Sequence, residues 1–276
     1  MLNNTFKFNY SVGAIANGIK TDTFTFFLLF FYSRVIGLDP LLASLAIGLA
    51  LIIDSFTDPL MGTVSDRTNS KYGRRHPFMY ISFIPVSIFY VLLFTPKPDW
   101  DLSQIQLFWW MFVCASFTRI GMTFFEVPHR SLGSEMSRSY TERTSIFATR
   151  ELLGWMGGLF NAFLAYTIFF KDTPDYMPGT KNPEPWIYYG MTGATIMCFS
   201  VLVTYFGTLK YRDNSQIDIT TFNLRLIFNQ IFIALKNRSF LIFFFGSFKC
   251  FVLFPIFLPF IFYKFKVISF HKNIYF

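Results

Sequence analysis

Asp54 and Asp58 stand four residues apart in an otherwise apolar run, with Ser55 and Thr57 between them. On a helix this spacing puts both carboxylates on one face, one turn apart. Two carboxylates aimed at one point repel unless a cation lies between them, and a small hard cation takes several oxygen ligands. Asp54 and Asp58, with the Thr57 or Ser55 hydroxyl, supply such ligands and make a metal site for sodium. Alternatively one carboxyl stays protonated and the pair carries a proton. A salt bridge to another helix is the competing reading, above all for Asp58.

Further along, Arg119, Thr123 and Glu126 share one helical face, and Glu126 is followed by Val127 and Pro128, a proline expected to end or kink the helix. Arg150 opens the next apolar stretch. A guanidinium offers a planar fork that suits a carboxylate or vicinal hydroxyls. Glu126 and Arg150 therefore either pair with each other or hold a polar substrate. Lys20 and Asp22 lie in the first apolar run, where they either meet these carboxylates across the bundle or line the same cavity.

The elements that must position these residues are transmembrane helices. The chain has 276 residues, 53% hydrophobic and 14% charged, with 40 Phe and a mean hydropathy of +0.42. A soluble domain carries about 25% charged residues. Each spanning helix needs about 20 mainly apolar residues. Seven segments qualify: 10–36, 40–64, 78–95, 105–127, 147–170, 186–209 and 240–263. Most of the Phe then face lipid or fill helix contacts. The expected fold is all-α and integral to the membrane.

The net charge of +8 reflects topology rather than nucleic-acid binding, because Lys and Arg fall between the apolar runs. Arg67, Lys71, Arg74 and Arg75 follow the second run, Arg130, Arg138 and Arg143 the fourth, and Lys210, Arg212, Arg225, Lys236 and Arg238 the sixth. The opposite side holds Arg34, Lys97, Lys171 and Lys181. The positive-inside rule makes the first set, and the N-terminus, cytoplasmic. Trp100, Trp109, Trp110 and Trp186 lie near run ends, where an indole suits the membrane interface. The stretch 222–235 is amphipathic enough for a surface helix. Cys114, Cys198 and Cys250 read as packing residues, and His76, His129 and His271 are too scattered for zinc. No cleavable signal sequence is expected, since 1–7 is polar and the run after it too long. Nothing resembles a nucleophile motif, a metal cluster or a phosphate loop, so the chain does not read as an enzyme and calls for no cofactor beyond a coupling ion.

The most specific pattern follows the second run: Gly62, then Asp66 and Arg67, then Gly73, Arg74, Arg75 and Pro77. Gly62 is expected to allow close helix approach, and Asp66 with the arginines to form charge pairs that lock a gate. The set Asp54, Asp58, Pro59, Gly62, Asp66, Arg67, Gly73, Arg74, Arg75 resembles the glycoside–pentoside–hexuronide:cation symporters of the major facilitator superfamily, the melibiose-carrier-like sodium:sugar symporters. So do the stretch 121–128 and the pair Arg150 and Gly154. The resemblance runs from about residue 10 to 209.

The resemblance implies that Asp54 and Asp58 bind the cation with a Thr123 hydroxyl, and that Glu126 and Arg150 bind sugar. It implies a plasma-membrane protein, the bacterial inner membrane in particular. There are departures. The family's helix-one sugar aspartate falls at Gly18, its preceding lysine at Asn17, an indole of the sugar site at Arg130, and an asparagine near the cation at Thr57. The cation site looks retained and the sugar site altered, with Lys20 and Asp22 as candidate replacements.

The organisation expected is a six-helix bundle over 1–209, a cytoplasmic central loop over 210–239, a seventh transmembrane helix over 240–263 and a tail over 264–276 that reads as truncated or frameshifted. The function expected is cation-coupled symport of a sugar, glycoside or related polar solute by alternating access. The alternative is a non-transporting remnant that lacks its second half or relies on an oligomer partner.

Overall fold

A computed structural model describes residues 3–68, 70–137, 139–211 and 236. Contacts divide the chain into Met1–Asp218 and Ile219–Phe276. Apart from Lys236, the described residues belong to the first of these. The expected surface helix 222–235, the expected seventh span 240–263 and the tail 264–276 lie outside the described residues.

The described part is helical throughout its long elements. The first helical stretch is built of α1 (Asn4–Val12), α2 (Ala14–Asp22), a π turn (Thr23–Phe27), α3 (Leu28–Phe30) and a second π turn (Phe31–Val35). The Asn3 side chain caps its start by accepting from the Thr5 N–H, so the polar opening residues join the helix instead of preceding it. Next come α4 (Pro40–Arg67), α5 (His76–Ile81), α6 (Phe83–Leu93), α7 (Gln104–Glu135), α8 (Tyr140–Leu164), which runs into a π turn (Ala165–Phe169), and α9 (Pro185–Thr208). Asp39 caps α4 and Pro40 occupies its first turn, where a missing N–H costs nothing. Ser103 and Gln106 cap α7 reciprocally.

Five of these spans are long and apolar enough to cross a membrane: Pro40–Arg67, His76–Leu93, Gln104–Glu135, Tyr140–Phe169 and Pro185–Thr208. They match the second to sixth expected segments. Two boundaries differ from expectation. Pro128 does not end its helix, because α7 continues through it to Glu135. A membrane-embedded helix tolerates a proline when neighbouring groups satisfy the freed backbone. Arg150 does not open its helix either: α8 begins ten residues earlier, at Tyr140, in polar turns that hydropathy alone passes over.

Packing runs from α4 to α7, from α7 to α6, from α6 to α9, from α9 to the first helical stretch, and from that stretch to α8. Lipid chains are as apolar as the helices, so close packing and hydrogen bonds must hold such a bundle. The tightest crossing is that of α2 on α8. A Cβ on Gly18 would lie 1.8 Å from the Gly154 carbonyl oxygen. Any larger side chain at position 18 would push the two helices apart.

Hydrogen bonds stitch the same region. The Thr23 hydroxyl meets the Tyr90 hydroxyl at 2.7 Å and the Tyr189 hydroxyl at 2.8 Å, and the Asn161 amide donates to Tyr189 at 2.8 Å. All four residues are buried, and each such bond in a bilayer is worth about 0.6–2 kcal/mol. Beyond them Phe27, Phe31, Phe94, Phe170 and Trp186 form an aromatic core. Trp186 is thus fully buried, with its indole N–H donating to the Thr180 carbonyl. Trp100 and Trp109 are exposed.

Candidate functional site

The charged residues inside the spans gather into two clusters, both organised by α7. Arg119, Thr123, Glu126 and Arg130 recur every three or four residues on one face of that helix. Its position against helix one is pinned below Glu126 by a reciprocal pair. The Tyr10 hydroxyl donates to the His129 carbonyl at 3.1 Å, and His129 Nε2 donates to the Tyr10 carbonyl at 2.9 Å.

The first cluster joins α7 to α4. Arg119 Nη2 donates to Asp54 Oδ2 at 2.5 Å. The Thr123 hydroxyl faces Asp54 Oδ1 at 3.1 Å and Asp58 Oδ1 at 2.8 Å. One hydroxyl has one proton, so only one of these carboxylates receives it at a time. The salt bridge weighed for Asp58 therefore falls on Asp54, and Asp58 has no ion pair among the described residues. Arg119 was read only as a face-sharing residue. Its role as the partner of Asp54 depends on how α4 packs on α7, which spacing within one helix does not reveal.

Thr57 does not join this cluster. Its hydroxyl donates to the Asp54 backbone carbonyl at 3.2 Å, and the Ser55 hydroxyl to the Leu51 carbonyl at 3.0 Å. Both back-bond to their own helix, the usual fate of a hydroxyl within α4.

The second cluster joins α7 to α8. Glu126 Oε1 accepts from Arg130 Nε at 2.6 Å and from Arg150 Nη2, and Arg150 Nη1 donates to Glu151. Arg150 is fully buried, whereas Glu151 is exposed. Glu126 Oε2 and Arg150 Nε are buried without a hydrogen-bond partner. Glu126 and Arg150 thus pair with each other and still keep polar atoms free.

Lys20 is half-buried and makes no ion pair among the described residues. Its charge lies within electrostatic reach of Asp54, Glu126, Asp58 and Arg119. Asp22 is separate from the first cluster. Its Oδ2 is buried without a partner, and it lines a cavity of ≈ 430 Å³ between the first helical stretch and α8. Asn17, Thr21, Arg150, Glu151 and Trp155 line the same cavity. Polar groups of both signs on an apolar wall are what a hydroxylated solute requires. Among the described residues no group of three His, Cys, Asp or Glu is placed to hold a metal ion, so a cation at the first cluster would rest on two carboxylates and one hydroxyl.

A third cluster closes the end of the bundle at the α4–α5 loop. Arg75 donates to Asp66 at 3.1 Å and to Glu135 at 2.6 Å, and Arg74 donates to Glu135 at 3.0 Å. Gly73 has φ +90°, a left-handed conformation natural to glycine, and it turns the arginines back toward α7. Arg67 is the last residue of α4. Glu135, the last residue of α7, was not among the expected gating residues; its only signal is an acidic residue at the end of the facing helix. Gly62 is not forced by space, since a Cβ there would meet Val127 at an ordinary 3.7 Å.

Comparison with known proteins fits this geometry. Residues 9–275 match the family model described as MFS/sugar transport protein. Over 227 residues the chain is 27% identical to an uncharacterized symporter of Synechocystis, covering 80% of this chain and 40% of that one. It is 26% identical over 203 residues to the glucuronide carrier protein homolog of Escherichia coli, covering 73% and 42%. It is 29% identical over 155 residues to the putative glycoside/cation symporter YagG of Escherichia coli, covering 55% and 33%. The chain therefore spans between a third and a half of the length of these relatives.

Proposed function

Since this chain belongs to the MFS/sugar transport protein family of multi-pass membrane transporters, we propose that it is the cation-handling half of a symporter that accumulates a sugar, glycoside or related polar solute by alternating access. The observation that carries the reading is the pairing of Asp54 and Asp58 through the single Thr123 hydroxyl, on the helix whose Glu126 pairs with Arg150 at the wall of a solute-sized cavity. A coupling cation, sodium or proton, neutralises the carboxylate left without a counter-ion. Arg150, Glu126, Asp22 and Lys20 form the solute side. Glycosides and glucuronides are the favoured solutes because relatives carry those names. The Asp66, Arg74, Arg75 and Glu135 cluster holds the bundle end shut in one state of the cycle.

In this reading the N-terminus and the α4–α5 loop are cytoplasmic, the membrane is the plasma membrane (the inner membrane of a bacterium), and the remaining cavity wall comes from a second half or an oligomer partner. The test is uptake of labelled glycosides into proteoliposomes, with the purified chain alone and together with the C-terminal half of a relative. Accumulation that follows an imposed sodium or proton gradient is expected only with both halves. Uptake indifferent to every cation gradient would end the symport reading.

A further inference from the structure

We infer that Arg119 is a resident cation of the carboxylate pair, so that an incoming metal cation must compete with its guanidinium for Asp54. Arg119 then sets how tightly the site holds sodium. The inference rests on the cation-coupled reading above and adds a residue that reading does not need.

Three observations carry it. The guanidinium reaches Asp54 through Nη2 alone, a single-point contact rather than the two-armed fork that makes arginine–carboxylate pairs hard to break. Its Nε is buried without a partner, so the group is not locked by a full set of bonds. It also lies over the Phe24 ring at 5.4 Å from the centroid, which offers the guanidinium a seat on helix one when Asp54 is taken.

Charge arithmetic points the same way. Arginine keeps its charge at any accessible pH, so one of the two negative charges at Asp54 and Asp58 is always matched. Metal cations need several oxygens at once. Here they are Asp54 Oδ1, the Asp58 carboxylate and the Thr123 hydroxyl, and Asp54 is available in full only when Arg119 turns away.

The experiment is equilibrium binding of sodium, and of lithium as a second probe, to the purified 276-residue chain in lipid nanodiscs. Arg119→Gln removes the competitor and is expected to bind sodium about tenfold more tightly than the parent, the scale of one charge interaction across a partly buried gap. Arg119→Lys keeps the charge and is expected to stay near the parent. Asp58→Asn is expected to abolish binding in either background.

Arg119→Gln leaves Asp54 unpaired and can fail to fold, so a second comparison runs within Asp54→Asn. Asp54→Asn alone frees the guanidinium to seek Asp58, and Asp54→Asn/Arg119→Gln does not. The double variant is expected to bind sodium more tightly than the single. Equal affinity within both comparisons, with Asp58→Asn still abolishing binding, would make Arg119 a structural partner only and leave the symport reading standing. Binding of neither ion by any variant would also overturn the inference, and the symport reading would then rest on proton-driven uptake in the proteoliposome assay.

Discussion

The two clusters on α7 are built from the same residue types and differ in charge balance. Toward α4, two carboxylates, Asp54 and Asp58, face one guanidinium, Arg119. Toward α8, two guanidiniums, Arg130 and Arg150, share Glu126, and Arg150 also pairs with the exposed Glu151. The first has one carboxylate more than it has guanidiniums, which is what the proposed coupling cation would neutralise. The second balances its charges and leaves Glu126 Oε2 and Arg150 Nε without hydrogen-bond partners. Thr123 and Glu126 are three residues apart, so one rigid helix carries both, and a shift of α7 moves both sites together. In the proposed symport, coupling of ion to solute needs no longer path than one turn of helix.

The sharpest way to break this contrast is to remove the buried guanidinium of the second cluster. Arg150→Ala leaves Glu126 with only the exposed Arg130. Losing one partner of a buried pair costs about 3–5 kcal/mol. Thermal unfolding in detergent is expected to show a large destabilisation, whereas Arg150→Lys, which keeps the charge but not the fork, should retain the fold and weaken solute binding. An Arg150→Ala variant as stable as the parent would mean that the pair is not desolvated.

Next in size is the effect of Asp58→Asn. It keeps the shape and removes the charge, so cation-driven accumulation should vanish while downhill solute movement persists. Wild-type cation stimulation in this variant would show the carboxylate to be structural.

The smallest effects separate the two threonines. Thr123→Val removes the hydroxyl shared by both carboxylates, and hydrogen bonds to charged groups are worth about 1.5–3 kcal/mol, so cation affinity should fall about tenfold or more. Thr57→Val loses only a bond to its own helix and should stay within about twofold. Sodium isotherms on the two variants check this. Equal losses would return Thr57 to the cation site, where its spacing from Asp54 first suggested it.

That last contrast shows where the sequence was legible. Helical spacing correctly put Asp54 and Asp58 on one face, and Arg119, Thr123 and Glu126 on another, because periodicity within a helix is a local property. It overreached with Thr57, since one helical turn separates neighbours by roughly 100° each and cannot say where a hydroxyl donates. It did not anticipate that Arg119 would pair with Asp54 or that Glu135 would close the loop cluster, because both depend on how α7 lies against its neighbours. The membrane spans were legible from hydropathy except where polar turns extend them, as at Tyr140–Thr149, or where a proline suggests a stop that the surrounding bundle overrides, as at Pro128. A glycine at position 18 was visible in the sequence, but the backbone contact of Gly18 with Gly154 that leaves no room for a side chain was not.

The central claim is that cation and solute use the two separate clusters that α7 joins, and the most direct measurement is cation binding to Asp58→Asn and Glu126→Gln side by side. Cation-induced thermal stabilisation of the purified chain reads it, since a ligand that binds only the folded state raises its stability. The account predicts that stabilisation disappears in Asp58→Asn and survives in Glu126→Gln. Equal loss in both variants would mean one merged site, and the division of α7 into two functions would be wrong.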